Sequence, residues 1–493
     1  MSNGYYEEGR TIEYFDECDI LVVGGGAAGH SAAIAASRAG AKNIVLLERY
    51  GYMGGDVTGG YVIMVPNLSW RDKSFVRGLQ EEWFTRLNKI PGAVLGPEEG
   101  EYGSEDPILI DRWTTIWDCV SRCPEVPKRV VRSVYYEPNE LKIEMDKMIE
   151  EEGDNIRVYY HCWATRPIME GDEIKGVLFE SKEGRKAIKA KVVIDATGDG
   201  DIFSQAGAPY SSISDSGTRA ATTALVYRVA GVDYNSFERW VRTNPRMYGV
   251  LIENLTRITG FRTCPLPTHS NDMVWINNWI PGKNCVEVKD LTATERDVRR
   301  TIREVIEYLR RSVPIGFQNA YLYDIAPQPG LRCSRRLKGE YVMTANDFAF
   351  RREFDDVIAW HSTICRINDC APIEIPYRAI LPQKVENLLC PGRHISSDNV
   401  AIDWLNLIPQ CVGTGQAAGI AAAVAVADGT SVRNVDIKKV QDILVAQDVP
   451  LPRRDDVDPS LTELCETYEY GLYTELAKAA AKDASALDEY RQP

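Results

Sequence analysis

The chain has 493 residues, and its 57 Lys and Arg against 71 Asp and Glu give a formal charge of −14. This length exceeds one ordinary domain and predicts two or three lobes with ample core. The acidic balance argues against a nucleic-acid groove or an anionic membrane surface as the partner.

Targeting and membrane signals are absent from the sequence pattern. Residues 1–14 are polar and acidic and carry no signal-peptide pattern. The longest apolar segment, around 417–427, is too short to span a bilayer. We therefore expect a cytoplasmic protein without a membrane span.

The cysteines and histidines do not form a metal-binding pattern. The twelve cysteines include no C-x-x-C, and the five histidines show no H-x-x-x-H. The close cysteine pairs are Cys119 with Cys123 and Cys365 with Cys370. We expect reduced, mostly buried thiols and no metal site.

The first predicted strand, 19–23, breaks into glycines spaced as G-x-G-x-x-G, at Gly24, Gly26 and Gly29. In a nucleotide site these glycines allow a tight turn, backbone approach to a pyrophosphate, and close packing of helix on strand. An alanine-rich helix follows, and a second strand ends in Glu48, placed to accept hydrogen bonds from ribose hydroxyls. This context predicts dinucleotide binding; the alternative is a turn that only packs.

A second glycine-rich loop covers 49–61. Its glycines predict backbone lying close to a flat ligand. The alternative is a flexible surface loop.

The middle of the chain alternates helices and strands. We predict helices over 74–89, 113–122 and 140–151, a loop over 91–107, and an antiparallel meander over 155–165, 174–180 and 187–194 with a turn at Glu183 and Gly184. The meander leads into Ala196-Thr197-Gly198-Asp199, which looks like the strand that returns to the first sheet beside the adenosine half of a flavin dinucleotide.

The second half begins with strands and a long helix over 292–312, capped at Thr292 or Thr294. A strand over 385–390 then runs into Gly392 and Arg393. Farther on, the stretch 408–419 opens an alanine-rich helix to Ala427, and its glycines, from Gly413 to Gly419, would place bare N–H groups at a ligand. The alternative is an ordinary, tightly packed helix.

Five blocks in this order resemble the FAD-dependent oxidoreductase family, related to the fumarate reductase and succinate dehydrogenase flavoproteins. The blocks are Gly24–Gly29 with Glu48, Gly54–Gly60, Asp195–Asp201, Ala326–Tyr341, and Ile375–Arg378 through Gly392 and Arg393 to Gly419. The resemblance covers about 19–451 and implies non-covalent FAD and hydride-transfer chemistry.

The resemblance also implies a fold and a domain plan. We expect an α/β fold of the two-dinucleotide-binding-domain (Rossmann-like) type, with a parallel central sheet, a small antiparallel meander and a separate α+β substrate lobe. The expected FAD-binding domain is discontinuous, over 15–70, 140–210 and 380–430. The substrate-side lobe covers 71–139 and 211–379, and 431–493 forms a helical tail.

The expected cofactor contacts follow from these blocks. They are Gly24, Gly26, Ala27, Ala28, Gly29, Glu48, Arg49, Gly54, Gly55, Thr58, Ala196, Thr197, Gly198, Asp199, Gly392, Arg393, Gln410, Gly413, Thr414 and Gly415.

Two positions are unusual for the family. The resemblance leads us to expect Arg-Glu-Ser-Arg-Arg, but Cys333 stands in place of the carboxylate. His30 directly follows Gly29. A covalent flavin link would require its ring to reach past the phosphates, so we expect a packed or phosphate-neighbouring histidine.

Candidate catalytic residues come from segments expected to reach the flavin ring. They are His361, Tyr377, Arg378, Arg332, Arg336 and His394, with Arg335, Asp403 and Gln410 beside them. Arginines can bind a carboxylate or enolate oxygen, histidines can act as bases, and tyrosine can donate a proton. The alternatives are structural ion pairs, such as Arg335 or Arg336 with Glu340, satisfied core histidines, and a capping role for Asp403.

The chain lacks G-x-S-x-G, which argues against a hydrolase, and a second complete G-x-G-x-x-G, which argues against a separate NAD(P)H domain. We expect an FAD-dependent oxidoreductase acting on a small-molecule substrate with an unassigned electron acceptor. The alternatives are a flavoprotein isomerase or hydratase without net redox, and a non-catalytic binding protein. A homo-oligomer and the identity of the substrate are left open.

Overall fold

The computed structural model describes residues 4, 7–121, 127–212, 222–349, 352–362 and 372–452. The predicted tail beyond 452, and Cys123, Cys365 and Cys370, lie outside the described residues.

The described chain contains helices separated by single strands and by runs of consecutive strands. The helices are α1 (Ala27–Arg38), α2 (Leu79–Leu87), α3 (Pro107–Thr114), α4 (Pro138–Glu151), α5 (Tyr234–Thr243), α6 (Pro245–Thr259), α7 (Val288–Ser312), α8 (Ala345–Ala349), α9 (Ile402–Leu405), α10 (Ile408–Asp428) and α11 (Ile437–Ala446). The first strands are β1 (Tyr14–Val23), β2 (Ile44–Leu47), β3 (Met64–Val65), β4 (Ser69–Trp70), β5 (Lys73–Ser74), β6 (Val94–Leu95), β7 (Val134–Tyr136), β8 (Ile156–Tyr159), β9 (Trp163–Glu170), β10 (Glu173–Ser181) and β11 (Gly184–Asp195). The later strands are β12 (Tyr210–Ser212), β13 (Thr223–Ala224), β14 (Tyr227–Ala230), β15 (Arg262–Pro267), β16 (Met273–Trp279), β17 (Tyr321–Ile325), β18 (Gly330–Leu331), β19 (Arg335–Leu337), β20 (Val357–His361), β21 (Ile373–Pro376) and β22 (Leu388–Leu389).

The main sheet has seven strands in the order β8-β2-β1-β11-β10-β9, with β22 also pairing β11. The pairs among β8, β2, β1, β11 and β22 are parallel. The two hairpin pairs of β9, β10 and β11 are antiparallel, which confirms the predicted meander. The α/β fold with a parallel central sheet is therefore confirmed.

Two helices cover one side of this sheet at very close range. A Cβ added at Gly415 would lie 2.2 Å from the Ala28 carbonyl oxygen, and one at Gly419 would lie 2.0 Å from the Ala32 carbonyl oxygen. Small residues on both sides therefore let the backbones of α1 and α10 touch. This packing fixes the end of α1 that faces the carboxyl edge of the sheet.

A second sheet, β15-β16-β14-β17, is antiparallel and has its own core. Apolar residues of α7, including Val298, Ile302 and Leu309, are buried in this core with Phe237 and Leu255 from the neighbouring helices. This sheet lies within the segment predicted as the substrate-side lobe; the predicted domain boundaries remain predictions.

Several predicted helix bounds were wrong. Gly78, with φ +63°, precedes α2, so that helix cannot begin at Ser74. Asp106 caps α3 by accepting from the Ile108 N–H, and Pro107 occupies its first turn, so this helix begins inside the predicted loop and ends at Thr114. These capping signals outweighed the apolar pattern on which the prediction depended.

The long helix α7 begins at Val288 rather than at Thr292 or Thr294. The Thr292 hydroxyl donates to the Val288 carbonyl, as a mid-helix threonine does, and Thr294 is buried. Asp290 occupies the first turn, where a negative charge suits the helix dipole.

Helix α10 corrects the expectation about apolar length. Its 21 residues are long and apolar enough to cross a membrane by composition, but 89% of the apolar window is buried inside the protein. It is a core helix that packs on α1. The cytoplasmic location stays a prediction.

Candidate functional site

A cavity lies at the carboxyl edge of the parallel strands. Its wall includes thirteen of the twenty predicted cofactor contacts: Gly24, Gly26, Ala27, Ala28, Glu48, Arg49, Gly54, Gly55, Ala196, Thr197, Gly198, Gly392 and Arg393. This is where an open α/β sheet binds its ligand.

The turn between β1 and α1 supplies the cradle. Gly24 has φ +97°, which favours glycine. Gly26, with φ −66°, precedes α1, and a Cβ placed there would meet only the Gly55 Cα, at 4.0 Å. The space beside Gly26 therefore belongs to the cavity, and it lies at the free N–H groups of a helix start, which suit a pyrophosphate. These residues fit a dinucleotide.

Glu48 lines the cavity and is fixed by the backbone. Its Oε2 accepts from the Gly25 N–H and its Oε1 from the Tyr50 N–H, each at 2.7 Å. Burial raises the pKa of Glu48 above its ordinary value, although these bonds oppose the shift. Because each carboxylate oxygen can accept a second bond, the predicted ribose contact remains compatible with this geometry.

A cation and two aromatic rings form the wall beside Glu48. The Arg49 guanidinium carbon lies 5.0 Å from the Tyr50 ring centre and 5.2 Å from that of Trp163. Tyr50 in turn stacks on Tyr52 with ring centres 5.4 Å apart. Such a wall can hold a flat ring by stacking.

A buried ion cluster forms another part of the wall. The Arg393 side chain, 12% exposed, lies 3.0 Å from an Asp199 oxygen and 3.7 Å from an Asp56 oxygen. Burial works to raise the pKa of Asp199, but the Arg393 guanidinium brings it below its ordinary value. The pKa of Asp56 is instead raised, chiefly by burial.

Seven predicted cofactor contacts are not part of this wall, namely Gly29, Thr58, Asp199, Gln410, Gly413, Thr414 and Gly415. Gly29 packs on the Gly24 carbonyl, which a Cβ would approach to 1.7 Å. The Thr58 hydroxyl donates to the Met53 carbonyl. Asp199 contacts the wall residue Arg393 at 3.0 Å.

The glycines of α10 pack rather than open a helix. The helix begins at Ile408, so Gly413 is already inside it. A Cβ at Gly413 would lie 2.3 Å from the His361 ring, and the Thr414 hydroxyl accepts from the Gly392 N–H at 3.1 Å. The predicted opening stretch 408–419 does begin the helix, but its glycines lie within the helix rather than at its first residues, and Ile408 and Cys411 line the cavity instead.

None of the six predicted catalytic residues lines the cavity in the described structure. Tyr377 is buried, and its hydroxyl donates to the Val432 carbonyl at 2.7 Å. Arg378 lies at the surface and forms a two-point ion pair with Asp356, at 2.9 and 3.0 Å. The structure gives both residues structural partners.

The arginines of 332–336 differ in their partners. Arg336 is buried and donates to the Asp398 carbonyl and to Asn399. Arg335 pairs with Asp201 at 3.0 Å and not with Glu340, whose partner is Arg433.

Arg332 extends toward the second sheet. It lies within 3.5 Å of Asn277 Oδ1, and its guanidinium carbon lies 5.5 Å from the Trp279 ring centre. Cys333, which replaces the expected glutamate, is buried.

The candidate histidines are core residues. Burial lowers the pKa of His361 to about 4, and it also lowers that of His394. His394 packs edge-on against Phe203. Neutral, buried rings of this kind do not suit a base that titrates near pH 7.

The remaining polar candidates are Gln410, in the first turn of α10, and Asp403, in α9. Gln410 is buried and donates to the Ser362 carbonyl at 2.8 Å. Asp403 lies in α9, a partly buried position outside the cavity wall.

His30 is turned into the helix layer. Its Nε2 lies 3.1 Å from the Met145 carbonyl oxygen of α4, and its ring packs edge-on against Trp83 of α2. It does not line the cavity, in line with a packed histidine; burial lowers its pKa to about 4.

The sequence reasoning missed several wall residues: Asp56, Trp163, Gln328, Leu331, Asn406 and Cys411. Asp56 stood inside a glycine loop already predicted to touch the ligand, so its position carried a signal. The others come from separate segments, and only the folded chain brings them together.

The sequence model of a family described as FAD dependent oxidoreductase matches residues 19–444. A segment is also 48% identical over 103 residues to the urocanate reductase of Eggerthella lenta, covering 19% of this chain and 17% of that protein. The chain thus aligns with less than one fifth of this curated relative.

Solved structures show a broader, weaker likeness. A geranylgeranyl bacteriochlorophyll reductase-like protein of Thermoplasma acidophilum is 14% identical, with 96% of this chain and 98% of that chain covered and a TM-score of 0.45. The p-nitrophenol 4-monooxygenase of Pseudomonas putida is 12% identical, with 96% and 97% covered and a TM-score of 0.43. The family model matches most of the chain, and the residues of the cavity fit the cofactor of that family. The protein therefore belongs to the FAD-dependent oxidoreductase family and is an FAD-dependent enzyme.

Proposed function

We propose that this enzyme transfers a hydride between a small organic substrate and N5 of its flavin. The observation that carries the proposal is the composition of the cavity wall. The same cavity touches the glycine turn at Gly26 and two residues next to the second sheet, Gln328 and Leu331. A cofactor held at the turn would therefore share its cavity with the substrate-side lobe.

The chain's own residues bind and orient in this scheme. When bound, FAD supplies the two-electron chemistry. The turn around Gly26 holds the phosphates, Glu48 accepts from the ribose, and Arg393 provides a buried positive charge beside them. The protein thereby fixes the cofactor while the substrate-side lobe selects the reactant.

Arg332 is the best-placed of the predicted catalytic arginines for binding the substrate. It directly follows Leu331, which lines the cavity. Its guanidinium lies beside an amide, Asn277, and an aromatic ring, Trp279. We infer that it binds an anionic group of the substrate, since guanidinium groups match carboxylates in charge and geometry.

The relative supports reduction as one direction of the reaction. Its name, urocanate reductase, describes the reduction of a small organic molecule by that protein. We propose a cytoplasmic location for this chain. Its electron acceptor or donor and its assembly into subunits have no assigned partner.

Anaerobic spectroscopy tests the proposed function. The purified enzyme is expected to show flavin absorbance and to lose it in proportion to an added oxidisable substrate, or to regain it when a reducible substrate is added after chemical reduction. Turnover of a substrate without any change in flavin absorbance would contradict hydride transfer and favour an isomerase.

A matched pair of variants tests the role of Arg332. Arg332→Gln is expected to raise the substrate concentration needed for half-maximal bleaching by about 10-fold or more, the loss of one charged hydrogen bond. Arg378→Gln, at the surface, should leave that concentration unchanged. Equal effects of the two variants would contradict the role.

A further inference from the structure

Three carboxylates line the FAD cavity. They differ in the hydrogen-bond donors and cations that stabilise their negative charge. Glu48 accepts one backbone N–H at each oxygen. Asp201 is held by Arg335 at 3.0 Å. Asp56 has no such dedicated cation, because Arg393 is shared with Asp199 and lies closer to that residue, at 3.0 Å against 3.7 Å.

The two oxygens of Asp56 are also unequal. Oδ1 accepts from the Gln328 side-chain amide at 3.0 Å, and the Leu331 N–H lies 3.5 Å away. Oδ2 lies 3.7 Å from the Arg393 Nε, beyond hydrogen-bond distance. Oδ2 is therefore the carboxylate oxygen at which a proton can reside.

Two neighbours hold Asp56 in place. The Tyr52 hydroxyl donates to Gln328 Oε1 at 3.1 Å, which leaves the amide nitrogen of Gln328 to donate to Asp56. A Cβ at Gly59 would lie 2.5 Å from the Tyr52 ring and 2.8 Å from Gln328 Oε1. The absence of a side chain at Gly59 therefore leaves the space that Tyr52 and Gln328 occupy.

Asp56 is next to the phosphate cradle. It directly follows Gly55, at which a Cβ would lie only 3.1 Å from the Gly26 Cα. A bound pyrophosphate would bring negative charge to this side of the cavity and would compete with Asp56 for Arg393. A carboxylate in such a place is either destabilised or protonated.

We propose that Asp56 takes up one proton when FAD binds, so that cofactor affinity is linked to pH through this side chain. The proton comes from solvent and bonds to Oδ2; no other bond changes and no electrons move. The neutral carboxylic acid then leaves Arg393 to Asp199 and the phosphates.

Other ionisable groups face Asp56 from the surrounding elements. They are Arg393 and Asp199 from the loops after β22 and β11, Cys411 from α10, and Tyr50 and Tyr52 from the segment after β2. Burial raises the pKa of Cys411 to about 12 and raises the pKa values of both tyrosines. These three groups therefore stay neutral at neutral pH. Of the two carboxyl groups in this set, Asp199 has a pKa below its ordinary value and Asp56 has one above it, so Asp56 takes up a proton first as the pH falls.

The direction of the pH dependence follows from linkage. Because the complex holds a proton that free Asp56 releases, affinity is highest at acid pH. It falls as pH rises through the pKa of Asp56 in the free protein, which burial places above the ordinary value. In that window one linked proton makes the Kd rise about tenfold per pH unit.

The test is FAD binding to the full-length protein after removal of its cofactor. FAD is titrated between about pH 5 and pH 8.5 by quenching of flavin fluorescence, and calorimetry in two buffers of different ionisation enthalpy counts the protons taken up. The wild type is expected to take up one proton and to show the tenfold slope.

Two variants assign the proton. Asp56→Asn should bind FAD with a nearly constant Kd across this range and no proton uptake. Asp201→Asn is the matched control, since Asp201 also lines the cavity and burial raises its pKa to about 6; it should retain the wild-type slope. The proposal is overturned if Asp56→Asn keeps the slope or if Asp201→Asn removes it.

A measurement on the wild type covers the case in which Asp56→Asn fails to fold, as judged by circular dichroism. Infrared difference spectra on FAD binding should then show a new protonated-carboxyl band. Its absence would overturn the proposal.

Discussion

Gly26 and Gly419 belong to two glycine-rich segments that look similar in the sequence but have opposite surroundings. A Cβ at Gly26 would meet almost nothing, whereas one at Gly419 would lie 2.0 Å from the Ala32 carbonyl oxygen. The first glycine leaves room for a ligand, and the second leaves room for another helix. The glycine before a helix is needed for ligand access, and the glycine inside a helix is needed for close helix packing. Both segments were nevertheless predicted to face the cofactor.

The largest expected effect comes from filling the helix contact. Gly419→Val forces α10 away from α1 and should lower the free energy of unfolding by about 3 kcal/mol or more, the upper end for overpacked cores. Urea denaturation measures this change. The control is Gly249→Ala, in an exposed turn of α6 with nothing within 4 Å, which should be neutral or stabilising by up to about 1 kcal/mol. Equal stability of the two variants would contradict the packing role.

The next effect concerns His361, whose ring occupies the space that Gly413 leaves open. Burial lowers its pKa to about 4, below about 6.5 for an unfolded chain. Between these values the unfolded state binds more protons, so stability is present above about pH 6.5 and is lost as pH falls toward 4.

The contribution of His361 should be about 1.4 kcal/mol per pH unit within that window. His361→Gln should flatten the curve of unfolding free energy against pH, measured by urea denaturation. His161→Gln, at an exposed position, is the control that should not. An unchanged slope in His361→Gln would show that the ring is not held neutral by burial.

The strong sequence signals were local, and they were confirmed as structure. The strand, turn and helix around Gly26 lie within one continuous stretch, so their order determined the fold of that region. The meander could be predicted equally well, because β9, β10 and β11 are consecutive in the sequence and are joined by short turns. The catalytic candidates depended instead on which distant side chains meet, and polar residue type does not determine that.

Arg393 and Asp56 illustrate this limit. Both flank glycines that the sequence placed near the ligand, yet their contact joins residues more than 300 positions apart. Arg336 and Tyr377 carry suitable chemical groups but are used to tie loops to the core. Residues of the cavity wall and residues with a structural role differ in burial and in hydrogen-bond partners, and these are known only from the folded chain.

A smaller effect, on binding rather than on folding, is expected at the open glycine. In Gly26→Val the added Cβ would meet only the Gly55 Cα, at 4.0 Å, and the side chain would extend toward the cavity, so the fold should persist while FAD affinity falls by about 100-fold, or about 2.7 kcal/mol. Flavin absorbance per chain measures the retained cofactor, and circular dichroism checks the fold. Wild-type flavin content in Gly26→Val would refute the placement of the pyrophosphate.

The smallest expected effect separates a surface arginine from the arginine of the cavity. Arg378 is half exposed and pairs with Asp356 at 2.9 Å, so Arg378→Ala should lower the free energy of unfolding by less than about 1 kcal/mol. Its flavin content and substrate bleaching should equal those of the wild type, because the side chain lies outside the cavity wall. Arg393→Ala is the contrast: it leaves the buried Asp199 and the partly buried Asp56 without their shared cation and should lose both flavin and stability. A loss of bleaching in Arg378→Ala with full flavin content would restore Arg378 as a catalytic candidate and would mean that the substrate reaches beyond this cavity.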